Sequence, residues 1–219
     1  QDDDYDGIPN ACDVDIELDG VDLISFYALP DSPSVDNVFA GITDQNPGII
    51  GASTSTLYNA ESSTWFGSLS EIERTSGYWV IIDDEADLAV EGIPTDPGTV
   101  YDLELRTNLV SYPFSGSAAI EATIPDGAQV SIDAILGEGT AGYNGDDGWV
   151  GSLVNLSGTE GYWFITNSAV SFTYNPPVEG AARMVSPIRP VPSEYTFKQS
   201  TQQAFYFVKN ATIGGDPLE

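Results

Sequence analysis

The sequence predicts a mainly β protein built as two tandem homologous β-rich modules, sandwich-like, with minor short helices. Three observations carry that expectation. The chain repeats itself: DIELDGVDLISFYAL at 15–29 parallels DLELRTNLVSYPF at 102–114, GIIGASTSTLYN at 48–59 parallels AILGEGTAGYNG at 134–145, and TWFGSLSEIERTSGYWVI at 64–81 parallels GWVGSLVNLSGTEGYWFI at 148–165. Three blocks in one order at an offset of 84 to 87 residues mark a duplication. The repeated blocks are short apolar runs rich in β-branched and aromatic residues, separated by turn residues, which is the pattern of strands. Finally, 41% of the 219 residues are hydrophobic and 11% aromatic, so the chain has the apolar surface that a folded core requires.

Within each copy the elements follow in order. LISFYAL and NLVSYPF read as buried strands, as do WFGSL, WVGSL, GYWVII and GYWFIT. Between the first strands Ser34 is placed to cap a short helix carrying Val35, Val38, Phe39 and Ile42 on one face. In the second copy Ile120 and Ile124 stand four apart. Turns are expected at Asn59, Asn144-Gly145 and Asp147-Gly148. Module one then spans 15–98 and module two 99–175. A proline-rich linker covers 176–195, and 196–219 is a strand-bearing tail or the start of a further domain.

Charge excludes several partners. Six Lys+Arg stand against 34 Asp+Glu, a net charge of -28, which repels nucleic acid and anionic membrane surfaces and attracts cations. No apolar run approaches the roughly 18 residues of a membrane span. The polar residues are Thr, Ser, Asn, Gly and Asp with almost no Lys, a composition expected of an extracellular or cell-surface protein. There is no histidine, so Ser-His-Asp and Cys-His catalysis and His-based zinc sites are excluded. No glycine-rich phosphate loop precedes a helix, and the expectation is a protein that is not an enzyme.

The chain opens QDDDYDGIPNACD. Asp2, Asp4 and Asp6 alternate, Gly7 follows, and Asn10 and Asp13 complete D-x-D-x-D-G-x-x-N-x-x-D. This is the oxygen-ligand spacing of a calcium loop, with the Ile8 carbonyl as the backbone ligand and glycine at the sharp turn. Hard oxygen ligands without a His or thiolate cluster select Ca2+ over zinc or copper. Asp15 and Glu17 continue the alternation and suggest a possible additional metal site. Residues 1–14 thus form a calcium-binding loop ahead of the modules, and DDDYDGIPNACD resembles a thrombospondin type 3 calcium repeat. In that family such repeats come in series and the cysteine commonly pairs with one in a neighbouring repeat, which implies an upstream partner for Cys12. A free thiol or an intermolecular disulfide are the other readings of a lone cysteine. The duplicated section is loosely similar to β-rich modules of large exported bacterial surface proteins, which implies a secreted setting and no particular chemistry.

The paired G-Y-W motifs read first as core, with Trp79 and Trp163 filling each module. Trp65 and Trp149, each after a polar turn, are the candidates for exposure and for ligand contact, carbohydrate included. Residues 203–213, QAFYFVKNATI, alternate like a strand and lie beyond the linker without neighbours of their own. Such a strand is expected to add to a sheet edge, and addition to the next copy builds a head-to-tail filament. The reading is therefore a calcium-stabilised extracellular structural or adhesive protein. Its alternative is a carbohydrate-binding accessory region of a larger exported enzyme.

Overall fold

The computed structural model describes residues 13–146, 148–177, 212–213 and 216–217. The duplication is visible as topology. The first copy runs β1 (Asp13–Leu18), β2 (Val21–Ile24), β3 (Ala28–Leu29), α1 (Val35–Val38), a 3-10 turn (Ala40–Gln45), β4 (Gly48–Ile50), β5 (Ser55–Asn59), β6 (Thr64–Gly67), β7 (Tyr78–Ile81), β8 (Ala86–Glu91) and β9 (Ile93–Pro94). The second runs β10 (Tyr101–Leu103), β11 (Arg106–Val110), β12 (Ser117–Ala119), α2 (Ile120–Thr123), α3 (Asp126–Gln129), β13 (Ile132–Gly137), β14 (Thr140–Gly145), β15 (Gly148–Gly151), β16 (Asn155–Ser157), β17 (Tyr162–Thr166) and β18 (Val170–Phe172). Each copy builds a five-stranded antiparallel sheet, ordered β2-β7-β4-β5-β6 in one and β11-β17-β13-β14-β15 in the other. Each adds a two-stranded ribbon, β1-β8 or β10-β18, so corresponding elements occupy corresponding places.

Alternation decides what each strand buries. In β1 Val14, Ile16 and Leu18 enter the first core while Asp15 and Glu17 face outward. In β7 Tyr78 and Val80 are buried beside Ile24 and Ile49. The Ser34 cap is realised, its hydroxyl accepting from the Asn37 N–H at 3.3 Å. The helix is one turn long and passes into the 3-10 turn, yet Val35, Val38, Phe39 and Ile42 are all buried as their spacing requires. The second core is dominated by rings: Tyr174 lies edge-on to Tyr101, Tyr112 and Phe172, with centroids 4.8, 5.5 and 4.9 Å away.

Two expectations change. WFGSL and WVGSL form β6 and β15, which lie at the ends of their sheets rather than inside them, with Phe66 and Val150 exposed. The parallel of 48–59 with 134–145 holds in the sheets, since Gly48 pairs with Leu57 where Ala134 pairs with Tyr143, and it leaves the Y-N pairs at 58–59 and 143–144 one place out of step. A slip of one residue reverses the face: Tyr58 turns inward against Trp65 and Tyr143 turns out. Asn144 is also no turn residue, since it sits within β14 and donates to the carbonyls of Gln129 and Ile132.

The backbone where the chain enters β2 and β11 has the same left-handed form in both copies, at Gly20 just before β2 (φ 82°) and at Arg106, the first residue of β11 (φ 94°). A side chain is strained there and glycine is not. Arg106→Gly is expected to stabilise the protein by up to about 1 kcal/mol, read as a higher urea midpoint at unchanged slope. A lower midpoint would show that this strain is relieved elsewhere.

Residues 1–180 form one compact unit and 181–219 another. In the second, β19 (Thr212–Ile213) pairs with β20 (Asp216–Pro217). The end of the expected 203–213 strand therefore has a local neighbour; residues 203–211, like the linker from 178 to 195, lie outside the described residues.

Candidate functional site

The two five-stranded sheets meet along a seam of local two-fold character. The Gly161 N–H donates to the Leu23 carbonyl at 2.9 Å and the Ser25 N–H to the Thr159 carbonyl at 3.0 Å. The mirror contacts are present: Gly77 N–H to Leu109 carbonyl at 3.3 Å and Ser111 N–H to Thr75 carbonyl at 3.1 Å. Ile24 thereby bridges Glu160, and Ser76 bridges Val110. Each module closes part of the free edge of the other, which removes an unpaired backbone that would otherwise need water. Ser25 and Ser111, both fully buried, fix the seam through their hydroxyls, which donate to the carbonyls of Glu160 (2.7 Å) and Arg74 (2.6 Å). The glycine of each G-Y-W motif stands here: a Cβ on Gly161 would lie 2.7 Å from the Ile24 carbonyl oxygen, and one on Gly77 would lie 3.2 Å from the Gly161 Cα.

This seam explains the motif and revises its reading. Tyr78 and Tyr162 fill the cores, and each hydroxyl accepts from a backbone N–H, that of Glu73 or Ser157. Alternation then turns Trp79 and Trp163 to the opposite, outer face, where both are half-buried. Trp65 and Trp149, expected at the surface, instead pack part-buried against the two cores. Trp149 donates its indole N–H to Gln129 Oε1 at 2.8 Å, whereas the buried Trp65 N–H finds no hydrogen-bond partner among the described residues. The paired serines of L-I-S-F and L-V-S-Y were the available signal for the seam, since a hydroxyl recurring inside an apolar run must be satisfied somewhere.

The outer faces carry the most unusual surface of the molecule. Across the first sheet, Val21, Ile81, Gly48, Leu57 and Phe66 lie directly opposite one another on successive strands, and Leu23, Trp79, Ile50 and Ser55 form the next row. Across the second, Thr107, Ile165, Ala134, Tyr143 and Val150 form one row and Leu109, Trp163, Leu136 and Ala141 the next. None of these positions is charged, although the chain has 34 acidic residues. Several are widely open to water: Leu57 is 57% exposed, Phe66 60%, Tyr143 55% and Val150 59%. The two faces meet at the seam, where a Cβ on Gly161 would touch Leu23 and one on Gly77 would touch Leu109.

The acidic positions behave differently. Asp2, Asp4, Asp6, Ile8 and Asn10 lie outside the described residues, as does Cys12, while Asp13 opens β1 opposite Glu91. The alternation of Asp15 and Glu17 is that of a half-buried strand. Together with Asp22, Asp87, Glu138 and Glu160 they line a cavity of about 640 Å³ beside the seam. Glu138 Oε2 accepts from the Leu23 N–H at 3.0 Å, tying a hairpin of the second module to the edge of the first. Among the described residues no three acidic or other ligating side chains are placed to hold a metal ion. No described helix is long and apolar enough to cross a membrane.

No family model, curated protein or solved structure matches the chain.

Proposed function

We propose that this protein is a calcium-stabilised extracellular structural or adhesive protein, not an enzyme, that holds a partner through the outer face of its paired sheets. The observation that supports this reading is the uncharged apolar surface on a chain of net charge -28. Contiguous exposed apolar area of this kind marks an interaction surface. Calcium enters from the opening segment: Asp2, Asp4, Asp6, the Ile8 carbonyl, Asn10 and Asp13 supply the ligands, and Asp13 transmits the ordering directly into β1. Head-to-tail assembly belongs to the same reading, with the terminal strands β6 and β15 as the acceptor edges for the 203–213 strand of another copy. The aliphatic character of the exposed face, with Trp65 and Trp149 turned toward the cores, favours a protein partner over carbohydrate.

Calcium removal tests the first part. EDTA is expected to lower the melting temperature, and Asp4→Ala or Asp6→Ala to mimic it, because a ligand bound only by the folded state at a hundred times its dissociation constant stabilises by about 2.7 kcal/mol. Affinity is expected in the extracellular range of roughly 10⁻⁴ to 10⁻³ M. A melting temperature indifferent to added calcium after chelation would refute the calcium loop. Deleting residues 196–219 tests strand addition: filaments that persist without the tail would exclude it.

A further inference from the structure

We infer that the outer face of the two five-stranded sheets is a self-association surface, through which two copies of this chain pack face to face. The inference rests on the adhesive reading above and names the partner of that surface.

Charge selects the partner. The four rows that cross the sheets contain no charged residue, while the chain carries 34 acidic and six basic ones. A partner that set a charge on these rows would strand it away from water with nothing to pair it. An uncharged apolar surface is required, and the same face of a second copy is one. Residue type narrows the choice further. Val21, Ile50, Leu57, Ile81 and Val150 are exposed aliphatics, against the exposed rings of Phe66 and Tyr143. The core of a protein interface is apolar and depleted of charge in this way, whereas sugar recognition stacks on rings flanked by hydrogen-bonding groups. Size is also sufficient. Ten strands about 4.8 Å apart, each presenting about four residues of ~3.3 Å, give a face of roughly 600 Å², close to the ~800 Å² per partner of a standard interface.

The local two-fold seam adds a geometric consequence. Because corresponding rows recur on both modules, a second copy can lay its first sheet over either sheet of its partner and still oppose apolar rows. The opposing force is long-range: each copy has a net charge of -28, and salt screens that repulsion. Self-association therefore strengthens as ionic strength rises, the reverse of a complex held by opposite charges.

Sedimentation velocity of the full chain over a range of protein concentration, at low and high sodium chloride, tests this. The expected result is a reversible dimer whose dissociation constant falls about tenfold or more with added salt. The double variant Leu57→Asp/Phe66→Asp is expected to weaken it at least about thirtyfold, with an unchanged circular dichroism spectrum because both side chains project into water. Val130→Asp, at an apolar position 75% exposed that belongs to none of the four rows, is expected to leave the dimer intact. A wild-type chain that stays monomeric at high concentration and high salt would overturn the inference, as would a dimer indifferent to Leu57→Asp/Phe66→Asp. So would association weakened by salt, or retention of monomers on insoluble chitin or cellulose through Leu57 and Phe66. The same runs in EDTA and with residues 196–219 deleted separate the proposals: a dimer that survives both stands on the sheet face alone, whatever becomes of the calcium loop or strand addition.

Discussion

Raising the pH from 10 through 12 is expected to unfold the protein, beginning in the second core. That core holds four buried tyrosines, Tyr101, Tyr112, Tyr162 and Tyr174. Burial pushes the Tyr101 phenol from 10.0 up to about 12, only partly offset by its hydrogen bond with Ser111. Burial also raises Tyr162, reinforced by the Glu160 carboxylate that accepts from its hydroxyl at 2.8 Å, and it raises Tyr174 well above the ordinary value with help from the neighbouring phenols. Tyr112 moves the same way, again chiefly through burial. The direction of the pH effect follows: below pH 10 the phenols are neutral in both states, and above it the unfolded chain ionises while the folded one does not, so stability falls as pH rises. For Tyr101 alone a shift of this size is worth roughly 3 kcal/mol, a large share of the ~5–15 kcal/mol that holds a typical domain, and Tyr162 and Tyr174 act in the same direction. Phenolate absorbance and β circular dichroism followed in one titration are expected to change together and steeply. Phenols that ionise near pH 10 while the β signal persists would show that these side chains are not buried as described. Tyr174→Phe, which keeps the ring and removes one ionisable group, is expected to move the transition to higher pH.

Much of the architecture was legible because the duplication writes each element twice. The recurrence of W-x-G-S-L and G-Y-W was enough to place corresponding strands, and the Ser34 cap with Val35, Val38, Phe39 and Ile42 was enough to place the short helix. The faces were not legible in the same way. In Tyr78–Ile81 every residue is apolar, so alternation carries no sign, and only the register with β2 and β4 assigns Tyr78 and Val80 to the core and Trp79 and Ile81 to the outside. The Y-N pairs are a likeness of composition rather than of position: with Gly48–Leu57 set on Ala134–Tyr143 they stand one place apart, so Tyr58 and Tyr143 lie on opposite faces. Acid alternation at Asp15 and Glu17 is compatible with a ligand series and with a strand alike, because ligand spacing and strand alternation share a period of two. The intervening Val14, Ile16 and Leu18 announce the strand, since a strand that buries one face needs them. The seam itself depends on contacts far apart in the chain, and only the paired serines and glycines announce it.

Gly161→Val is expected to cost about 4–6 kcal/mol and to open the seam between the modules. The added Cβ would stand 2.7 Å from the Ile24 carbonyl oxygen and 3.1 Å from Leu23 Cδ1, and a backbone carbonyl cannot swing aside as a side chain can. Overpacking of this kind costs about 1–3 kcal/mol. Separation of the strands also breaks the Gly161–Leu23 and Ser25–Thr159 bonds, leaving the fully buried Ser25 with an N–H and a hydroxyl to satisfy, each worth about 1–3 kcal/mol when stranded. Gly77→Val provides the internal comparison. Its Cβ would meet Leu109 Cδ1 at 3.1 Å and the Gly161 Cα at 3.2 Å, with no carbonyl oxygen among its three nearest atoms. Leu109 can turn, so the expected cost is about 2 kcal/mol. Urea unfolding separates the two effects, because its slope follows the surface exposed in each transition. The wild-type chain is expected to unfold in one step, Gly77→Val in one step at a lower midpoint, and Gly161→Val in two shallower steps as the modules lose their mutual support. Equal midpoints for the two variants would mean that the seam yields at the backbone as readily as at a side chain, and a single wild-type transition in Gly161→Val would mean that the modules do not depend on it.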